Sequence, residues 1–336
     1  MWAFFCLNSP ISMSTIQPRS SRVLIILAFA AIYVLWGSTY LAIRYAIDTL
    51  PPFLMAASRF LIAGTILFAW AAVTGERMRN ALSQWPKALL LGGMLLLAGN
   101  GGVTWAEKYI ATGLAALLVA SEPLWVVLLN WGLTRNRPNA KVLLGVFVGM
   151  AGVALLVSGG FGNAHASSKM SFVSAGVVLL AGFSWAAGSV YANHRPIQAS
   201  TSMASGMQML GGGLLLLVVA FVAGDVHRLN LANASWVSIG AVCYLIVFGS
   251  LVAFTAYSWL LRNVTPARAA TYAYVNPVVA VLLGWFLASE PLTFRMLIAA
   301  AIIVGSVILI TTFGREHTTP DSGTIHDSDC PTHPCA

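Results

Sequence analysis

Charge is scarce in this chain. Asp, Glu, Lys and Arg together make up 8% of its 336 residues, against roughly 25% in soluble domains, and the 58% that are hydrophobic would leave a water-soluble fold with a surface it could not solvate. Cysteine is sparse too. Cys6, Cys243, Cys330 and Cys335 form neither a paired extracellular framework nor a zinc pattern, and Cys330 and Cys335 with His333 are too loosely arranged in a polar tail to read as a metal site. No His-Glu-x-x-His, Gly-x-Ser-x-Gly or Gly-x-x-x-x-Gly-Lys-Ser/Thr run occurs, and every histidine falls in a loop or the tail. These absences argue against an intramembrane enzyme, against a pump with its own nucleotide site, and for no cofactor and no metal. The net charge of +8 is spread over short turns, without the groove-sized basic patch that nucleic acid requires.

What fills the chain is apolar sequence, with a mean hydropathy of +0.82. Runs such as 89–97, 113–129 and 299–310 lie inside segments near 20 residues, the length a helix needs to cross a hydrocarbon core of roughly 30 Å. A β-barrel would instead alternate apolar and polar residues at every second position. The expected architecture is an all-α integral membrane protein with about ten transmembrane helices, at 23–46, 52–73, 88–106, 113–133, 142–158, 171–192, 203–223, 237–260, 268–287 and 294–313. With the N-terminus inside, twelve basic residues fall in inner segments (among them Arg77, Arg79, Arg135 and Arg137), and four, Lys108, Lys169, Arg228 and Arg295, in outer ones. Both termini are therefore expected in the cytoplasm. Residues 1–22 make a poor cleavable signal, either Met1 or Met13 could be the start, and 314–336 read as a disordered cytoplasmic tail.

The chain repeats itself. Residues 109–133 align without gaps on 263–287 at an offset of 154, matching Pro123 with Pro277 and Trp131 with Trp285, and the same offset puts Trp105 on Trp259. The first helices pair less regularly, with Trp36 near Trp185 and Tyr40 near Tyr191. The expected units are thus a first repeat over 23–158, a linking loop at 159–170 and a second repeat over 171–313. Five helices per repeat is an odd number, so the copies are expected to be inverted, the arrangement of many secondary transporters.

The runs 33–40 (Tyr-Val-Leu-Trp-Gly-Ser-Thr-Tyr), Pro51-Pro52 leading to Ser58-Arg59-Phe60, Gly99-Asn100-Gly101, Ala106-Glu107-Lys108-Tyr109, 273–284 and Glu290-Pro291-Leu292-Thr293 resemble the EamA family of the drug/metabolite transporter superfamily over residues 23–313. The resemblance implies two EamA repeats, a central cavity lined by the first four helices of each half with the fifth packed outside, and efflux of a small solute across a bacterial inner membrane. An importer or exchanger is the alternative, and a non-transporting receptor or structural protein the rival of another class. Glu290 has no counterpart in 134–138 of the first half.

The candidate cavity and coupling residues are polar or aromatic groups inside the spans. Glu122 lies roughly 14 Å into its helix at 1.5 Å per residue, and an acid so deep must find a partner, face water or hold a proton, which makes a proton the candidate coupling ion. It reads either as a coupling or substrate-contacting acid or as a locally paired structural one. Pro123 and Pro277 are expected to break their helices, and Asn276, at the matching position to Glu122, cannot ionise. Arg59, roughly 10 Å inside helix 2, would hold an anionic group, pair with Glu107 or Glu122, or snorkel outward, whereas Arg44 is expected to snorkel. Asn100, Thr104 and Glu107 share a helical face, with Asn100 expected at the cavity and Glu107 solvated near the interface. The aromatic candidates Trp36, Tyr40, Trp185, Tyr191, Tyr257 and Tyr272, with Ser189 one turn from Trp185, suit either a ligand box or plain helix packing. Gly145, Gly149 and Gly152 are expected to let helix 5 approach a neighbour closely. The partners implied are a small-molecule substrate and the lipid bilayer, with the oligomeric state left open.

Overall fold

The computed structural model describes residues 22–75, 83–110, 115, 118–157, 169–288 and 294–313. The N-terminal segment, the start of the fourth expected span, most of the linking loop, Glu290 and the tail lie outside the described residues. Everything regular among them is helical. The principal helices are α1 (Arg22–Thr49), α2 (Pro52–Val73), α3 (Trp85–Ala106), α4 (Glu122–Thr134), α5 (Ala140–Val157), α6 (Lys169–His194), α7 (Thr201–Val222), α8 (Trp236–Asn263), α9 (Tyr272–Ala288) and α10 (Phe294–Phe313). Of these, α1, α2, α3, α6, α7 and α8 are long and apolar enough to cross a membrane. Outside α4 and α9, each boundary lies within three residues of its expected position.

The two exceptions share a form, a turn that interrupts the expected span and delays the start of the main helix. The fourth expected helix turns at Ala120 and Ser121 before α4 begins, and the ninth is a short helix, Pro266–Ala269, a turn at Ala270 and Thr271, and then α9. Pro123 sits in the first turn of α4, where its missing N–H breaks no intrahelical bond. Pro277 does not break its helix where it stands. It lies inside α9, cannot donate to the carbonyl four residues back, and the helix starts upstream with tightened bonds, Ala273 N to Ala270 O at 3.1 Å and Tyr274 N to Thr271 O at 3.1 Å.

Two further irregularities were not foreseen. Gly93–Gly101 in α3 and Leu245–Val252 in α8 are π-helical, with wider turns than the α-helix on either side. The 154-residue offset carries 93–101 onto 247–255, overlapping the second segment, so the two repeats share the distortion as well as sequence.

Packing is closest where glycine removes the side chain. A Cβ on Gly206 of α7 would stand 2.8 Å from Phe68 N, and one on Gly64 of α2 would stand 2.8 Å from Leu210 N, so the two backbones touch. Helix α5 meets α10 in the same manner, Gly145 and Gly152 facing Ile310 and Ile303 and Gly149 facing Ser306 and Tyr274. This pair keeps to its own apolar cluster and lines no part of the central cavity.

Polar ties mark two ends of the bundle. At one, Thr49 Oγ1 donates to Ser238 Oγ at 2.8 Å, and Asp225 Oδ2 accepts Phe53 N at 2.9 Å. At the other, Lys87 Nζ donates to Pro196 O at 3.3 Å, Arg262 Nη1 to Ala199 O at 2.7 Å, and Asn193 Nδ2 to Leu261 O and Val264 O. These are called the Thr49 end and the Lys87 end below.

Candidate functional site

The largest apolar cluster gathers residues of α1, α2, α3, α6, α7 and α8 with the start of α9. Trp36 is its hub: the ring lies 4.7 Å from Tyr272 at 70°, 5.6 Å from Trp185 at 81° and 5.0 Å from Tyr257 at 52°. Tilted and edge-on pairs of this kind add about 0.5–1.5 kcal/mol each beyond burial, so the cluster forms a stiff floor. Its polar tips are all satisfied. Trp36 Nε1 donates to Gly249 O at 3.1 Å, Trp185 Nε1 to the Tyr257 hydroxyl at 3.1 Å, and that hydroxyl shares a 2.6 Å bond with Ser189 Oγ.

A cavity of about 70 Å³ lies against this floor. Trp36, Tyr40, Trp185 and Tyr272 supply aromatic wall, and Thr39, Arg59, Asn100, Glu122 and Asn276 supply polar groups. Along α1 the lining runs from Trp36 to Ile43, along α3 from Gly99 to Val103, and on α6 from Trp185 back to Ala181. Each of these directions leads toward the Thr49 end, so the cavity extends that way. Toward the Lys87 end the chain is shut by the aromatic floor, by the 2.7 Å bond between the Tyr33 hydroxyl and Thr271 Oγ1, and by the ties of Lys87, Asn193 and Arg262.

Glu122 and Tyr272 are each the first residue of a helix, and the two starts meet. The Tyr272 hydroxyl donates to Glu122 Oε2 at 2.5 Å, while Oε1 is buried with no hydrogen-bond partner. A carboxylate at the first turn of α4 also lies in the positive end of that helix. Arg59 is only 2% exposed; its Nε donates to Ser250 Oγ at 2.7 Å, its guanidinium carbon lies 4.6 Å from the Phe60 ring centre, and Nη1 has no partner. Among the described residues it forms no ion pair with Glu107 or Glu122, the pairing foreseen for it, and it does not snorkel outward.

Several other candidates lie elsewhere. Thr104 and Glu107 do not line the cavity. Thr104 is buried behind Asn100, its Oγ1 3.5 Å from Asn100 Oδ1. Glu107, expected in solvent, is 1% exposed with both carboxylate oxygens unpartnered, in the turn that follows the end of α3 at Ala106; exposed Arg44 reaches across to its backbone oxygen at 3.2 Å. Ser189 and Tyr257 brace the floor from behind. Tyr191 belongs to the separate cluster of Ala71, Leu91 and Met203, since six residues beyond Trp185 a helix has turned to a different neighbour. Gly249 and Ser250, which hold Trp36 and Arg59, were missed. The only trace of them in sequence is a small-residue pair inside an apolar run.

A cavity at the meeting of helices from both halves, walled by aromatics and holding one buried acid and one buried base, suits binding of a small solute. The EamA-like transporter family matches this chain twice, over residues 23–158 and 173–312. The chain belongs to that family. It is 37% identical over 285 residues to the inner membrane transporter YedA of Escherichia coli (strain K12), covering 84% of this chain and 89% of that protein. It is also 24% identical to the transporter YvbV of Bacillus subtilis (strain 168), over 88% of this chain and 93% of the other. A protein of known crystal structure shares its fold with a TM-score of 0.71 at 22% identity, across 87% of this chain and 99% of that one. This EamA-like protein is a membrane transporter, and its substrate is a small molecule.

Proposed function

We propose that this transporter exports small metabolites, amino-acid-like or drug-like, across a bacterial inner membrane by alternating access, as two inverted five-helix repeats with both termini in the cytoplasm. Inversion is supported by the odd number of helices per matched unit and by the basic residues crowded at 77–87 and 135–141. On this reading the Lys87 end faces the cytoplasm, and the state described here is closed inward, its cavity reaching toward the outside. Direction rests on the family resemblance.

The observation that carries the reading is the cavity at the crossing of the two half-helix starts, with Glu122 in its wall. Glu122 is the proposed coupling acid. Its symmetry-related position is Asn276, so a proton-linked step would use the first repeat alone. The test compares metabolites in medium and cytoplasm of cells expressing wild type, Glu122→Ala or empty vector at matched membrane levels. Compounds outside only with wild type support export and the role of Glu122. Depletion from the medium would instead show import, and three coincident profiles would show that the protein does not carry solute at all.

A further inference from the structure

Arg59 poses a problem that the rest of the cavity does not answer. A guanidinium cannot shed its charge readily, and burying one away from water is costly unless a counter-charge and hydrogen bonds compensate. Here the compensation is incomplete: one neutral hydroxyl, Ser250 Oγ, the face of Phe60, and nothing on Nη1. No buried acid serves: Asp225 pairs with Arg228 at 3.6 Å. Glu122 is committed to Tyr272 on one oxygen, and neither it nor Glu107 pairs with Arg59 among the described residues.

The local structure holds Arg59 in place. The π-helical stretch of α8 brings Gly249 and Ser250 beneath it, so closely that a Cβ on Gly249 would stand 3.1 Å from Arg59 Nη2. Nε is anchored to Ser250, Nη2 lies against Gly249, and Nη1 is left without a partner on a side chain that lines the cavity. A planar, bidentate donor is the group best matched to a planar anion.

We infer that the transported solute carries an anionic head, a carboxylate held by the Arg59 guanidinium, with its apolar body against Trp36, Trp185 and Tyr272. This rests on the transport reading and narrows its substrate class. The size of the cavity is consistent with it. At about 70 Å³ it is half the volume of a 150 Å³ cavity that accepts benzene, so it has room for the head group, and the body needs the helices to part toward the Thr49 end.

The test is equilibrium binding of benzoate, phenyl phosphate, benzamide and benzylamine to the purified full chain in lipid nanodiscs, read by tryptophan fluorescence. Wild type, Arg59→Lys, Arg59→Gln and Ser250→Ala are compared, each first shown to be monodisperse. Benzoate should bind wild type at least about tenfold tighter than the isosteric benzamide, as loss of a charged hydrogen bond implies, and benzylamine weakest. Arg59→Gln should remove that preference and Arg59→Lys keep part of it. Ser250→Ala, which releases the anchor, should weaken benzoate about threefold without changing benzamide. Tighter phenyl phosphate would move the head group to a phosphate and overturn the carboxylate assignment. Equal binding of benzoate and benzamide, no saturable benzoate binding, or a preference unchanged in Arg59→Gln would overturn the inference. Should the metabolite comparison show only neutral or cationic compounds exported, the inference fails while transport stands; should benzoate bind as expected but no flux appear, transport fails and the anion site stands.

Discussion

At the scale of single residues, the Tyr272–Glu122 contact joins the two repeats through one hydroxyl. Tyr272→Phe keeps the ring against Trp36 but strips Glu122 of its only side-chain hydrogen bond among the described residues, leaving both carboxylate oxygens unsatisfied there. A loss of about 1–3 kcal/mol is expected, seen as a fall in thermal stability in detergent relative to wild type, and an unchanged melting curve would mean the bond contributes nothing. Glu122→Gln is the complementary change. Its amide oxygen can still accept from Tyr272, so the protein should fold and insert normally, yet an amide cannot cycle a proton. Flux of whichever solute the wild type carries should drop at least tenfold, and full flux would reduce Glu122 to a structural acid. An intramembrane charge announces itself in sequence because its burial is costly wherever it ends up, which is why Glu122 and Arg59 were legible. Glu107 was legible as an acid but not as a buried one, because its burial depends on tertiary packing around the turn after α3. Tyr191 was misplaced because loose pairing with Tyr40 ignored its rotation about α6.

At the scale of elements, composition and length located the helices well, since an apolar run bounded by polar turns admits one reading in a bilayer. The π segments were not legible. Gly93–Gly101 and Leu245–Val252 read as ordinary apolar helix, and nothing in their composition marks the wider turn, along which Gly99 lies beside the Trp185 ring and Gly249 beneath Arg59. The glycine contacts between α2 and α7 carry a separate prediction. Gly206→Ala places a methyl 2.8 Å from the Phe68 backbone nitrogen, which cannot move without displacing α2, and about 1–3 kcal/mol of overpacking should lower stability and the yield of inserted protein. Gly240→Ala is the control. Nothing lies within 4 Å of a Cβ there, and alanine favours helix, so stability should hold or rise. Equal behaviour of the two variants would show that the α2–α7 approach is looser than described.

At the scale of the whole molecule, the alternating access proposed above would require the Lys87 end to open, and what closes it is a short set of polar bonds laid over an aromatic floor. Individually, bonds such as Tyr33–Thr271 contribute about 0.5–1.5 kcal/mol, little enough for solute binding or a proton to outweigh several of them. A covalent bridge would not be outweighed. In a background with the four native cysteines replaced, Tyr33→Cys with Thr271→Cys sets two thiols facing each other across this contact, and because a cysteine side chain is shorter than tyrosine by the length of the ring, a bifunctional methanethiosulfonate long enough to replace that ring should span them. Bridging is expected to hold this end shut, take flux to the level of empty vector, and leave benzoate binding from the Thr49 side intact; excess dithiothreitol should restore transport, and either single cysteine variant should transport with or without the reagent. Undiminished flux through the bridged protein would mean that the bundle does not part between α1 and α9, and the two repeats would then have to move on some other seam.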